Sequence, residues 1–441
     1  MKRLLILLVL LSGTFEIRAQ NIFQMEHNTD KVVIPFKLIN NLIFIPIKVN
    51  GIELNFLLDT GVEETILLSL EEKTEVTFYN VAKVKFKGLG SNVAIEGLKS
   101  SGNILDLNGF TDKNHELYIV LDENFNFSAH IGIPVNGIIG YHFFKNHLVE
   151  INYDKKKIIL YRKNDKIAKK INRRYVEIPM TIEKNKPYIT ADVTLNEQEI
   201  STKLLVDIGN SDALWLFENQ QKNITVPPKN FADYLGKGFS GEIHGKRSRI
   251  ETIKFGDYQF QKPIVAFPDS TSIQSVTMVK DRAGSIGGEM ARRFTVIFDY
   301  PGKKIFLRKS NYYNEAFHYN MSGIELQNEG LQWVQETVTL QTQSIIGSNF
   351  YDSDGNKKDF KYKFSLKPVY IISSIRENSA AAVCGLKKGD TISKINGTVA
   401  YHFSLSEINE LLKSEEGKWI NMLILRNGVE MKFKFQLKSF L

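Results

Sequence analysis

The stretch Leu54-Asn55-Phe56-Leu57-Leu58-Asp59-Thr60-Gly61 drives an apolar strand into an Asp-Thr-Gly turn, and 148 residues on Lys203-Leu204-Leu205-Val206 runs into Asp207-Ile208-Gly209. The register continues downstream. Gly137-Ile138-Ile139-Gly140 returns 147 residues later as Gly284-Ser285-Ile286-Gly287, and Val149-Glu150-Ile151-Asn152-Tyr153 returns as Val296-Ile297-Phe298-Asp299-Tyr300. Lys157-Ile158-Ile159-Leu160 and Lys304-Ile305-Phe306-Leu307 follow in the same order. Segments that keep one offset mark an internal duplication. Both copies consist of short alternating or continuous apolar runs separated by Gly, Asn and Asp turns, which is the pattern of strands. Each copy is therefore expected to be mainly β, with a short helix after each Gly-rich turn, at Tyr141 to Lys145 and at Glu289 to Arg293.

Each copy also carries a glycine-rich stretch about thirty residues after its Asp, Lys87-Gly88-Leu89-Gly90-Ser91 and Gly236-Lys237-Gly238-Phe239-Ser240-Gly241. Both are expected to be hairpin tips. Neither has the spacing or the Lys of a phosphate-binding loop.

Two Asp-x-Gly turns at the ends of buried strands point to a chemistry. Such carboxylates can face each other across a twofold axis with one water between them. Two carboxylates that close cannot both ionise easily and share a proton. One can then act as base on the water while the other acts as acid toward a carbonyl. Asp59 and Asp207 are the candidate pair, and this chemistry requires no metal or other cofactor.

Over roughly residues 30 to 310 the chain resembles the retropepsin-like and pepsin-like aspartic proteases. In that family an apolar strand entering Asp-Thr-Gly, a flap hairpin, and an Ile-Ile-Gly or Ile-Leu-Gly segment bracing the active-site loop occur in this order. Asp59, Thr60 and Gly61 match the motif, and Gly137 to Gly140 match the brace. The resemblance implies a two-lobed, acid-protease-like β-barrel duplication, an aspartic endopeptidase activity and a polypeptide substrate. It also implies flaps at Gly88, Leu89 and Gly90 and at Gly238 and Phe239. The second turn departs from the family pattern. Thr or Ser usually follows the catalytic Asp and bonds across the lobes, whereas Ile208 can do neither; Asn210 and Ser211, after Gly209, are candidates for replacement bonds. Val62-Glu63-Glu64 stands where a small residue and Ser are commoner, which suggests a further charge near the pair. The competing reading is a noncatalytic peptide-binding protein that keeps the fold.

At 441 residues the chain calls for two or three domains. With 43% apolar and 24% charged residues the composition is globular. The net charge of +8 is scattered among pairs such as Lys169-Lys170 and Arg292-Arg293, so no nucleic-acid stripe is read. Lys2-Arg3, the apolar run Leu4 to Leu11 and Ala19 read as a signal peptide, with a mature start at Gln20 and no later transmembrane helix. The protein is expected to be exported: periplasmic, cell-surface or secreted. The lone Cys384 reads as a core residue. The eight histidines lack zinc-protease spacing, and the repeats hold no Gly-x-Ser-x-Gly elbow.

From Phe317 the pattern changes. Met321-Ser322-Gly323-Ile324 enters a strand, Tyr370 to Ile375 another, and Asn378-Ser379-Ala380-Ala381, Gly385-Leu386-Lys387-Lys388-Gly389-Asp390 and Ile395-Asn396-Gly397 follow. Ser404 is placed to cap a helix through Leu405, Ile408, Leu411 and Leu412, and strands at Trp419 to Leu425 and Glu430 to Leu437 flank an Asn-Gly turn. This resembles a PDZ domain of the bacterial type, an α+β unit. The resemblance implies that the amides of Ser322, Gly323 and Ile324 receive a peptide's terminal carboxylate. Residues 327–367 form an insertion to the compact pattern and are expected to cover or reshape the groove; Asp352 and Asp354 lack the other ligands of a calcium loop. The expected organisation is signal peptide 1–19, first lobe 20–165, second lobe 166–312 and PDZ-like domain 313–441.

Overall fold

The computed structural model describes residues 22–25, 29–68, 70, 75–86, 95–120, 127–238, 241–273, 278–338 and 361–441. The expected signal peptide, Gly88, Leu89, Gly90 and Phe239, and the turn at Asp352 and Asp354 lie outside these residues.

The duplication is visible strand by strand. In the first copy Leu42–Val49 pairs antiparallel with Ile52–Leu58, and Gly137–Ile139 lies parallel on the other side, with Ile139 opposite Leu58. In the second, Lys186–Leu195 pairs antiparallel with Gln198–Val206, and Arg282–Ile286 lies parallel on the other side, with Ile286 opposite Val206. Asp59 N–H donates to the Ile139 carbonyl (2.9 Å) and Asp207 N–H to that of Ile286 (2.8 Å). Each Asp thus leaves its strand at the same point of the same ladder. These pairings belong to a nine-stranded sheet in the first lobe and a ten-stranded one in the second.

A third, six-stranded sheet joins the lobes, three strands from each, in the order Val176–Pro179, Lys304–Lys309, Phe294–Asp299, Leu148–Asn152, Lys157–Tyr161, Lys31–Pro35. At its centre Glu150 is paired with Ile297. Because the repeat offset is 147, Glu150 faces its own counterpart, and the pseudo-twofold axis crosses the sheet there. Every residue of both central strands is buried, which explains their nearly continuous apolar sequence.

The expected short helices occur at Tyr141–Phe144 and Gly288–Ala291. The helix Asp165–Arg174 was not anticipated and spans the expected lobe boundary; the Asn164 side chain caps it by accepting from the Ile167 amide. Its mostly polar sequence hides a narrow stripe, Ile167 and Ile171, that packs with Leu148, Ile159 and Phe306 on the joining sheet.

The C-terminal unit is a six-stranded sheet with helices Ala380–Val383 and Leu405–Lys413. Ser404 and Glu407 close a capping box at the start of the longer helix, the Glu407 carboxylate accepting from the Ser404 amide at 2.7 Å. Of the segment expected to cover or reshape the groove, the described parts extend a hairpin, with Ile324–Val338 pairing antiparallel with Lys361–Ile375, and residues 339–360 lie outside the described residues. Alternation along both arms puts Leu331, Trp333, Phe364 and Leu366 on one face of the ribbon, where they are exposed.

The glycines that close the duplicated braces are there for space. A Cβ on Gly140 would run into the carbonyl oxygens of Val62 and Asp59, and one on Gly287 into those of Asp212 and Asn210. Gly287→Ala should therefore push the second Asp-x-Gly turn away from its brace and lower folding stability by about 1–3 kcal/mol, read as a fall in the chemical-denaturation midpoint.

Candidate functional site

Asp59 and Asp207 meet between the lobes. A Cβ added to Gly61 would stand 2.7 Å from Asp207 Oδ1 and 3.0 Å from Asp59 Oδ1, so both carboxylates converge on one glycine of the first turn. A Cβ on Gly209 would collide with the Asp59 carboxylate. The glycines in third position thus serve the opposite lobe as much as their own. The two carboxyl groups are within hydrogen-bonding reach of one another, and the Gly61 amide donates to Asp59 Oδ1 at 2.6 Å. Burial, reinforced by the charge of Asp207, holds the Asp59 carboxyl well above the usual carboxylate range, against the opposing pull of the Gly61 amide and Lys186.

The turns are clasped from one side. Thr60 Oγ1, fully buried, donates to the Val206 carbonyl at 2.6 Å and accepts from the Ile208 amide at 3.1 Å. Ile208, also buried, offers only hydrocarbon in return. The side chains proposed as substitutes do something else: Asn210 Oδ1 accepts from the Asp212 amide within its own turn, and the contribution of Ser211 is its carbonyl, which accepts from Asn41 Nδ2 at 2.9 Å across the lobes. The second clasp is therefore rebuilt from Asn41, a residue that no turn motif marks.

The extra charge near the pair is not the one the sequence suggested. Glu63 is engaged by Asn185 Nδ2 and Glu64 by His142. The additional charge acting on Asp59 is the cation of Lys186. Lys186 and Arg282, both half-buried, were not singled out by sequence reasoning. A signal existed in the duplication itself, because Arg282 stands 147 residues after Val135.

A polar network ties the second turn to the rest of the molecule. Asp212 accepts from Trp215 Nε1 (2.7 Å) and Arg247 (2.8 Å); Arg247 also bonds Asp233 (2.8 Å), and Arg376 of the C-terminal unit approaches Asp233 at 3.5 Å. Asp233 and Arg247 lie on the paired strands Asn230–Gly238 and Gly241–Arg249, which include the expected second-flap residue Gly238.

The Ser322, Gly323 and Ile324 amides are committed within the chain. Ser322 and Gly323 N–H donate to Asn320 Oδ1 at 3.0 and 3.2 Å, and Ile324 N–H to Ser322 Oγ at 3.2 Å. A carboxylate arriving there would have to displace Asn320. The helix Phe127–Ile131 of the first lobe packs against the strand that begins at Ile324, and Gly132 leaves room for Leu405, whose Cβ would stand 2.8 Å from an added Cβ.

One further constellation deserves exclusion. His115 bonds Asp112 (2.8 Å) and Thr65 (2.7 Å), but all three side chains are buried, so the hydroxyl is closed to substrate.

Residues 371–426 match the family model described as PDZ domain. Among solved structures, that of an aspartic proteinase from Irpex lacteus aligns over 64% of this chain and 98% of its own length, at 12% identity and a TM-score of 0.43. A search of curated proteins gave no match. Residues 371–426 of the C-terminal unit are a PDZ domain, and before it stand two β lobes, related by the internal repeat and joined by a shared sheet.

The raised proton affinity of Asp59 has a signed consequence for stability. An unfolded aspartate ionises near its ordinary value of 3.8, whereas folded Asp59 keeps its proton to higher pH. Stability therefore falls as pH rises above the unfolded value and levels off only above the folded one. Asp59→Asn should raise the melting temperature at pH 7, by roughly 2–4 °C for each kcal/mol relieved, and the gain should vanish below about pH 3.8, where both forms are neutral.

Proposed function

We propose that the chain is an aspartic endopeptidase that takes an extended polypeptide between its lobes. The observation that carries this reading is the convergence of Asp59 and Asp207, each against the glycine of the other's turn. Asp59, whose protonated form is favoured by burial and by the neighbouring carboxylate, is the acid, and Asp207 is the base. Asp207 removes a proton from the intervening water as its oxygen attacks the scissile carbonyl carbon, and Asp59 gives its proton to the carbonyl oxygen. The gem-diol then collapses: the proton on Asp207 passes to the leaving nitrogen, and one diol proton returns to Asp59, restoring both groups. In this reading the PDZ domain binds a chain terminus or an added strand, or restrains access to the cleft through its contact with Phe127–Ile131. Export is part of the proposal, on the strength of Lys2-Arg3 and the apolar run after it; sequencing the mature chain should find Gln20 first.

Ile208 favours a second reading, a peptide-binding protein without hydrolysis, because the side-chain bonds that clasp the turns, from Thr60 and Asn41, come from the first lobe and Ile208 returns none. Cleavage of a mixed peptide pool separates the two. The parent should cut between pH 3 and 8, and Asp59→Asn and Asp207→Asn should each lose at least roughly 1,000-fold in kcat/KM, the loss expected of a residue that acts as acid or base in the transition state. A parent that cuts nothing, or variants that cut as well as the parent, would remove the endopeptidase reading.

A further inference from the structure

The two sides of the cleft are built from equivalent positions but opposite chemistry. In the first lobe Phe44 is paired with Leu57, and the same register carried two residues on sets Leu42 opposite Asp59. In the second lobe Tyr188 is paired with Leu205, and the same step sets Lys186 opposite Asp207. Directly opposed residues of an antiparallel pair share a face, so Leu42 and Lys186 occupy twofold-related places beside their aspartates. The parallel strands add a second contrast. Gly137 is registered with Phe56 and Gly284 with Leu204; two residues earlier in the sequence stand Val135 and Arg282, the latter set opposite Lys203 by a bulge in the second strand pair.

Around Asp59 these places are apolar: Leu42 and Val135 belong to one buried cluster with Phe44, Leu57 and Ile138. Around Asp207 the corresponding cluster shrinks to Tyr188, Leu205 and Val279, flanked by the two cations. Three cations lie near this face, and they are not alike. Lys203 is neutralised by Glu183. Lys186 and Arg282 form no ion pair among the described residues. Arg282 Nε donates to the Gly284 carbonyl at 3.1 Å and its guanidinium lies 5.2 Å from the Phe217 ring centre, which fixes its position without neutralising it. Apart from the candidate dyad, the carboxylate acting on Lys186 is Glu63, already held by Asn185. Asp207 attracts both cations, so one carboxylate is shared by two half-buried positive charges; the remaining charge is costly to bury, and burial lowers the proton affinity of both. A ligand carboxylate in this place would remove that cost.

We infer that the subsite beside Asp207 receives an acidic side chain, so that the substrate is a polypeptide with a hydrophobic residue on the Asp59 side of the scissile bond and Asp or Glu on the Asp207 side. The inference deepens the endopeptidase reading and rests on it for the position of the scissile bond. Lys186 and Arg282 select the substrate; they do not take part in bond breaking.

The test uses the full chain and a randomised short-peptide pool, with cleavage sites mapped by mass spectrometry. Asp and Glu should be enriched roughly tenfold at one position beside the cut. The enrichment should fall toward unity in Lys186→Met and Arg282→Met, survive in Lys186→Arg and Arg282→Lys, and weaken in the parent as salt is raised. The hydrophobic preference on the other side should persist throughout. If the Met variants fail to fold, the charge-keeping variants and the salt series decide the question. Cleavage without acidic enrichment, or enrichment indifferent to both Met substitutions and to salt, overturns the inference and leaves the endopeptidase reading intact. Should the parent cut nothing, the same pool is captured on the protein and the retained peptides are sequenced. Acidic enrichment that depends on both cations then upholds the subsite and removes the protease, whereas capture without it removes both.

Discussion

The buried hydroxyl of Thr60 holds the two halves in register. It donates to the Val206 carbonyl and accepts from the Ile208 amide, so one oxygen fixes the second turn in position and in orientation. Such a bond contributes only about 1 kcal/mol net, but leaving either buried partner unsatisfied costs more. The facing of Asp59 and Asp207, the approach of each glycine to the opposite carboxylate, and the suppressed ionisation of Asp59 all need the turns to stay this close. The shared sheet brings the lobes together over a broad area; Thr60 sets the last ångström.

Much of this was legible in the sequence because the duplication supplied an internal control. The strand leading to Asp59, the brace at Gly137 to Gly140 and their later counterparts have one local solution each: an apolar strand ending in a turn, and glycines where backbone passes too near for a Cβ. The PDZ domain was legible for a similar reason, since Ser379-Ala380-Ala381, Gly385 to Asp390, the Ser404 cap and the Asn-Gly turn before the last strand are local signals. What escaped depends on contacts between distant segments. Asn41 reaches Ser211 over 170 residues of chain. The helix Asp165–Arg174 buries so narrow a stripe that its composition reads as linker. The pairing of Glu150 with Ile297 needs the twofold axis itself, which no single segment encodes. The committed amides at Ser322 to Ile324 were hidden because Asn320 is an unremarkable residue until its oxygen is seen beneath them.

Asp212, Arg247, Asp233 and Arg376 give the PDZ domain a physical route to the second turn. Arg247 is shared by two carboxylates at 2.8 Å each, and the Arg376 guanidinium stacks 4.1 Å from the Phe231 ring centre while reaching Asp233. Removing one member of such a network leaves the remaining charges half-buried and unpaired, which is costly. The hairpin that carries Asp233 and Arg247 is therefore held between the second turn and the PDZ domain, and a displacement of either is felt by both.

The axis through Glu150 and Ile297 also bears on what symmetry permits. A strand that pairs with its own repeat equivalent could equally pair with the same strand of a separate, identical chain, so half of this protein contains the edge needed to form a symmetric dimer. In such a dimer every position would be duplicated without choice: two hydroxyls at the clasp, two apolar pockets or two cationic ones. Two halves joined in one chain carry no such obligation. One copy can hold Thr60 while the other holds Ile208, and one side of the cleft can stay greasy while the other gathers charge. A polypeptide has direction and a symmetric dimer has none; only a cleft with unlike sides is equipped to distinguish the two ends of such a chain.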